Sequence, residues 1–302
     1  MPVAHGAAGS ELTLPAAKLL MTVLGDYWFG ADEHVPSAVL VAVLAEFGIG
    51  EDAARAAFSR LCREGRIERS RHGRRTAYRL AAAARASAAE RGRALVAFGA
   101  EPVAWDGQWT CVAYSVPEPD RARRNALRTR LRALRMGSRF DGLWISPHDI
   151  VAEVHAALDG AGVAEAVVLR AAEAPAAAGT DLLDAWDLAA LRAGYDEFRG
   201  VVDALEPRLS RGALAPAEAL VARTDLMARW RTLAGTDPYL PDALLPADWP
   251  LAGARRRFGE AYDALGPLSE LRVCQLADTA AGPAGHSGGG RGPRHHRLAD
   301  LS

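Results

Sequence analysis

EDAARAAFSRLCREGRIERSRHGRRTAYRL, residues Glu51 to Leu80, carries two patterns in succession. Ala54, Ala57, Phe58, Leu61 and Cys62 recur at helical spacing, which predicts one apolar helix face. Asp52, Arg55, Ala56, Ser59, Arg60 and Arg63 take the opposite face. Gly65 ends the helix. Two short alternating runs follow, Ile67–Arg71 and Thr76–Leu80, joined by a His-Gly-Arg-Arg turn. A helix with an arginine face and then an arginine-tipped hairpin is what a winged helix-turn-helix requires. Its helix enters the major groove and its hairpin tip grips the neighbouring backbone.

The charge balance agrees locally, not globally. The chain has 302 residues and a formal net charge of −1. Between Arg55 and Arg79 nine arginines face two acids, Glu64 and Glu68. That asymmetry, rather than the net charge, is the electrostatic mark of a nucleic-acid surface. Lys18 is the single lysine, and the three cysteines, Cys62, Cys111 and Cys274, are isolated. They suit a reducing cytoplasm and lack metal-ligand spacing. No apolar run reaches the ~18–20 residues of a membrane span. The N-terminus lacks the basic-then-apolar order of a secretory signal.

Upstream of the opening stretch, residues 1–11 look like a loose arm. Thr13 can cap a helix with Pro15 in its first turn, and Leu19, Leu20, Val23, Leu24, Tyr27 and Trp28 share a face. Gly30–His34 is a loop. Pro36 opens a second helix over Ser37–Phe47, and Gly48-Ile49-Gly50 makes the turn into the arginine-bearing helix. The DNA-binding domain spans 12–82.

Downstream, 83–104 is expected to be a helical linker. In 105–175, Trp109–Val116 is a strand and Pro119–Met136 a helix. Gly137–Phe140 turns into Gly142–Pro147, followed by a helix at Asp149–Leu158 and a strand at Glu165–Ala171. Strand–helix–strand–strand–helix–strand is a ferredoxin-like order. Such a sheet buries one face under its helices and can offer the other to a second copy. Beyond a hinge at Ala174–Gly179, the domain 180–278 is helical, with candidates at Asp184–Leu209, Pro216–Leu233 and Gly253–Leu276. Residues 279–302, rich in Gly, His and Arg, are expected to be a disordered tail, His295 and His296 included. The fold class is therefore α+β.

Several of these stretches together resemble the PaaX family of bacterial transcriptional repressors, which control phenylacetate catabolism. Leu24-Gly25-Asp26-Tyr27 resembles the first-helix motif, Arg55–Gly65 the recognition helix and Arg71–Leu80 the wing. Trp105-Asp106-Gly107-Gln108-Trp109 and Gly142-Leu143-Trp144-Ile145-Ser146-Pro147 resemble the middle-domain signatures, and Asp237–Trp249 the C-terminal one. The match covers about residues 12–276, with one departure: Arg66-Ile67 stands where relatives often carry a bulky residue. The resemblance implies a winged helix, a ferredoxin-like middle domain related to CRISPR-associated endoribonucleases and a helical C-terminal domain. It also implies a homodimer on a palindromic double-stranded DNA operator, released by an aryl-acetyl coenzyme A thioester, typically phenylacetyl-CoA.

Arginine's fork can take two acceptors on guanine or a phosphate. Arg55, Ser59 and Arg60, nearer the helix start, are the base-edge candidates. Arg63, Arg71, Arg74 and Arg75 are candidates for phosphate or minor-groove contacts. Asp52 would accept from cytosine or pair with Arg55. For the effector, Arg124, Arg128 and Arg135 fall opposite the Ala126, Leu127, Leu131 and Leu134 stripe and could attract coenzyme phosphates. Trp105, Trp109, Trp144 and Trp186 are candidates for an aromatic pocket. The competing classes are a metal-dependent nuclease, with Glu118 and Asp120 after the first middle-domain strand, and an effector-independent DNA-binding protein. No catalytic motif, metal-ligand cluster or cofactor fingerprint occurs, so neither catalysis nor a cofactor is expected.

Overall fold

The computed structural model describes residues 14–29, 33–73, 75–172, 181–281 and 293–298. In chain order its elements begin with α1 (Ala16–Trp28), β1 (Val35–Pro36), α2 (Ser37–Ala45), α3 (Glu51–Arg63), β2 (Ile67–His72), β3 (Arg75–Leu80) and α4 (Ala82–Ala97). Next come β4 (Gln108–Tyr114), α5 (Arg121–Ala133), β5 (Gly137–Phe140), β6 (Leu143–Ser146), α6 (Val151–Ala161) and β7 (Ala166–Ala172). Three long helices follow, α7 (Leu188–Ser210), α8 (Pro216–Thr236) and α9 (Leu251–Ala281). The class is mixed α and β with antiparallel sheets. The loose arm, the Thr13 cap and the Ala174–Gly179 hinge lie outside the described residues.

Contacts group the chain into two compact units, 1–98 with 198–232 and 253–302, and 99–197 with 233–252. In the first, Pro15 and Pro36 stand directly before α1 and α2, where a missing N–H costs nothing. α2 stops at Ala45, two residues short of the expected end. Gly48 at φ +74° lets the Ile49 N–H return to the Leu44 carbonyl at 3.2 Å. α3 starts at Glu51 and stops at Arg63, just before the expected end at Gly65, and buries Ala54, Ala57, Phe58 and Leu61, while Cys62 is half-buried.

The sheet of this unit has three strands in the order β1-β3-β2, all antiparallel. β1 is two residues long, pairing Val35 with Tyr78 and Pro36 with Ala77, and was too short to show a period. The hairpin is tighter than expected. His72 pairs with Arg75, so the connection is two residues long, and Gly73 takes the required positive φ of 61°. The core of α1–α3 and the sheet also takes in Leu220 of α8 and Val273 of α9.

The expected linker is a packed helix. Near the end of α4, the Leu95 carbonyl accepts from the Trp230 indole at 3.5 Å and the Val96 carbonyl from Arg255 at 2.9 Å. Phe98 is buried 5.4 Å from the Trp230 ring, which in turn stacks on Phe258 at 4.9 Å. The expected disordered tail is also corrected in part. α9 continues to Ala281, and 293–298 run back along it. The His295 N–H meets Glu270 at 2.9 Å, the Leu298 N–H meets Asp263 at 2.8 Å, and Leu298 is buried. The Arg294 N–H also meets the Tyr27 carbonyl at 3.2 Å. Two carboxylates, one carbonyl and one leucine overrode a glycine-rich composition.

The second unit contains a four-stranded antiparallel sheet ordered β5-β6-β4-β7. With α5 and α6 as crossovers this is the expected split β-α-β arrangement. Val112, Trp144 and Val168 face a core shared with Leu127, Leu131, Val154 and Leu158. On the opposite face Val167, Leu169 and Phe140 remain largely exposed.

The tryptophan-rich signatures build this unit. Asp106 accepts from the Gln108 N–H at 2.9 Å and pairs with Arg170 on β7, while Gly107 at φ +81° makes the turn. Buried Thr110 donates to the His148 carbonyl at 2.7 Å. The segment from Asp237 packs likewise: buried Tyr195 donates to the Asp237 carboxylate, which also accepts from the Tyr239 N–H at 2.6 Å.

Candidate nucleic-acid interface

α3 presents Arg55, Ser59, Arg60 and Arg63 as exposed side chains, as the helical spacing requires. Arg71 and Arg75 are exposed on the hairpin beside its turn, and Arg71 also donates to the Gly73 carbonyl at 3.3 Å. Arg74 lies outside the described residues. Phe58, on the buried side of α3, stacks on Tyr78 of β3 with ring centroids 4.6 Å apart. A groove of about 520 Å³ runs between helix and hairpin, lined by Ser59, Cys62, Arg63, Ile67, Arg69 and Tyr78. Arg69 is exposed here and was not among the sequence candidates. Its place in β2, two residues before Arg71, was the available signal.

The two arginine groups differ in their partners. Arg55 forms an ion pair with Glu51, and Arg60 donates to Glu64 at 2.7 Å. Among the described residues no ion pair engages Arg63, Arg71 or Arg75. The hydrogen bond from Arg60 holds the Glu64 carboxyl below its usual range. Arg79, on the hairpin stem, does the same to Glu68 through a contact of 2.7 Å. Asp52 is not the partner of Arg55: the residue one full turn away, Glu51, is geometrically better placed than one three positions away with a shorter side chain.

The effector candidates are brought together less well. Arg124 donates to the Val116 carbonyl at 2.8 Å and to Glu118 at 3.2 Å. Arg128 pairs with Asp141. Arg135 does not share their face. α5 ends at Ala133, and Arg135 has φ 61°, which turns its guanidinium onto the Ala234 and Asp237 carbonyls at 2.9 and 3.2 Å. Trp109 and Trp144 are core residues, and Trp186 stacks on Trp109 at 6.3 Å. The aromatic-pocket expectation gives way to packing at these positions. Glu118, the nuclease candidate, is the partner of Arg124. Among the described residues no group of three or more His, Cys, Asp or Glu could hold a metal ion, and no helix could cross a membrane.

Comparison with known proteins follows the same division. Three family models match in order: "PaaX-like protein" over residues 16–84, "PaaX protein central Cas2-like domain" over 102–183, and "PaaX-like protein C-terminal domain" over 186–273. The transcriptional repressor PaaX of Escherichia coli (strain K12) is 30% identical over 271 residues, covering 85% of this chain and 80% of that protein. The solved structure of an uncharacterized protein from Mycobacterium tuberculosis shares the fold, with a TM-score of 0.55 and 24% identity over 88% of this chain and 98% of that one.

Proposed function

Since this chain belongs to the PaaX family, we propose that it is a DNA-binding transcriptional repressor whose residues 16–80 act as a winged helix-turn-helix. The observation that carries this is one exposed arginine row on α3 and a second beside the hairpin turn, on elements tied together by Phe58 and Tyr78. α3 lies in the major groove, with Arg55, Ser59 and Arg60 toward base edges. Arg63, Arg71, Arg74 and Arg75 hold backbone phosphates. The protein works as a homodimer on a palindromic operator, through the exposed face of the four-stranded sheet.

The effector is an aryl-acetyl coenzyme A thioester of the phenylacetyl-CoA type, and the genes controlled serve aromatic catabolism. The coenzyme phosphates meet Arg124 and Arg128, whose partners Glu118 and Asp141 are exposed and exchangeable. Arg135 is set aside because two carbonyls already occupy it. Release follows if the thioester binds better to the conformation that cannot hold DNA.

A gel-shift with the gene's own upstream region, at fixed salt and with a panel of acyl-CoA thioesters, tests both parts. Retarded DNA that one aryl-acetyl thioester releases is the expected result. Retention under every thioester would remove the effector while leaving the repressor. No preference for any upstream fragment would remove the repressor. Arg55→Ala should cost about 1–3 kcal/mol and relax one operator position. Equal losses on all operators would end its base-reading role.

A further inference from the structure

The partners of the α3 arginines sort them by a criterion independent of their distance from the helix start. Arg55 and Arg60, the residues assigned to base edges, each sit in an ion pair with a glutamate one turn away. Arg63, Arg71 and Arg75, assigned to phosphate, have no such pair among the described residues. We infer that Glu51 and Glu64 are specificity-determining residues that latch Arg55 and Arg60 away from non-specific DNA. This rests on the repressor reading given above.

The chemistry is an exchange. A latched arginine reaches DNA by giving up its carboxylate. A single phosphate oxygen is a like-for-like substitute, and it leaves the released glutamate close to the polyanion, where repulsion opposes binding. Paired guanine O6 and N7 acceptors offer a bidentate site instead. At the first turn of α3, the released Glu51 can also accept from a cytosine amino group in the same groove. The latch therefore taxes non-specific contact more than operator contact. Both pairs are solvent-exposed, with side-chain exposures of 68% and 60% for Arg55–Glu51 and 64% and 42% for Arg60–Glu64. Exchange is therefore unhindered, and each pair is weak enough to open.

The test uses the full chain with Glu51→Gln, Glu64→Gln and the double substitution. Glu101→Gln serves as a control, making the same charge change on an exposed residue without an arginine one turn away. Fluorescence anisotropy gives affinity for an operator-bearing upstream duplex and for a scrambled duplex of equal composition, across a salt series. Each latch substitution should raise affinity for the scrambled duplex about two- to fivefold, the range of an exposed ion pair. Operator affinity should change less, so the specificity ratio falls. The salt slope on scrambled DNA should steepen by about one for each released arginine. Equal gains on both duplexes, or changes no larger than those of Glu101→Gln, would overturn the latch. A wild-type chain that prefers no upstream fragment would instead overturn the repressor reading beneath it. Circular dichroism of each variant separates these outcomes from a loss of fold.

Discussion

Phe58 of α3 stacks on Tyr78 of β3, with ring centroids 4.6 Å apart and planes 27° from parallel. Both rings are buried, and Tyr78 is also the residue opposite Val35 of β1. This aromatic contact joins the arginine-bearing helix to the hairpin within a core that also holds Leu61, Ile67 and Leu80. Phe58→Ala should destabilise the protein by about 3–5 kcal/mol, because it leaves a cavity under both elements. Tyr78→Phe keeps the stacking ring and should leave operator affinity nearly unchanged. Thermal unfolding alongside anisotropy checks both. Normal stability and operator affinity in Phe58→Ala would mean the contact positions nothing.

Arg75 is the first residue of β3 rather than the last of a four-residue turn, paired through its backbone with His72. Its exposed side chain should touch phosphate and read no base. Arg75→Ala is therefore expected to weaken operator and scrambled duplexes by the same factor and to reduce the salt slope by about one. Arg71→Ala should behave likewise. A loss confined to one operator sequence would make either residue a base reader.

Tyr195 and Asp237 are both buried, and the Tyr195 hydroxyl donates to the Asp237 carboxylate. Burial, followed by the Asp237 charge, pushes the Tyr195 pKa far up, so the hydroxyl stays protonated and remains a donor. Tyr195→Phe should cost about 1–3 kcal/mol, since it strips a buried carboxylate of a partner. Denaturant unfolding gives the figure. A neutral result would show that the Tyr239 N–H satisfies Asp237 alone.

What the sequence disclosed depended on whether the determining contacts were local. α3 was legible to within two residues, because its apolar spacing and Gly65 are both within one helix length. The same spacing exposed Arg55, Ser59, Arg60 and Arg63. The Glu51–Arg55 pair is equally local at i, i+4, but Asp52 competes for the same arginine in the sequence pattern. Arg135 was misplaced because helical periodicity was extended past Ala133, where the backbone turns left-handed. Asp26 illustrates the other kind of miss. Helical spacing from Leu19 and Val23 puts Asp26 beside the apolar face of α1, but nothing local supplies its charge partners: it is almost fully enclosed with Arg231 3.7 Å away and Arg223 close by. Those partners lie about two hundred positions downstream. The docked segment 293–298 was hidden likewise, since its acceptors sit on α9 and at Tyr27 of α1, and its own composition suggests a loose chain.

That segment gives a pH-dependent prediction. His295 meets Glu270 through both its backbone N–H and its ring. Burial alone would push the Glu270 carboxyl up, but the His295 hydrogen bonds and the His295 and Arg294 charges outweigh it, and the net shift is downward. A carboxyl lowered in the fold contributes stability above its unfolded value of 4.5, lost as pH falls through the folded value. A chain truncated after Ala281 should therefore unfold at lower temperature than the full chain near neutrality. The gap should narrow below pH 4.5. Glu270→Gln should abolish that narrowing. A gap independent of pH would leave Leu298 as the main anchor.

Val167 and Leu169 point the same way from β7, two residues apart, and are 57% and 55% exposed. Phe140, at the end of β5 on the opposite edge of the sheet, is 60% exposed. An apolar face of this kind on a sheet whose other side is covered by α5 and α6 is a strong candidate for pairing with a second copy. Leu169→Glu places a charge in the middle of the edge strand without touching the core on the far side. It should convert a dimer to a monomer in sedimentation, with little change in unfolding temperature. Operator affinity should fall with it, since each half-site would be bound alone. A variant that stays dimeric would assign the dimer contact to another surface, and a wild-type monomer would remove the paired-copy reading altogether.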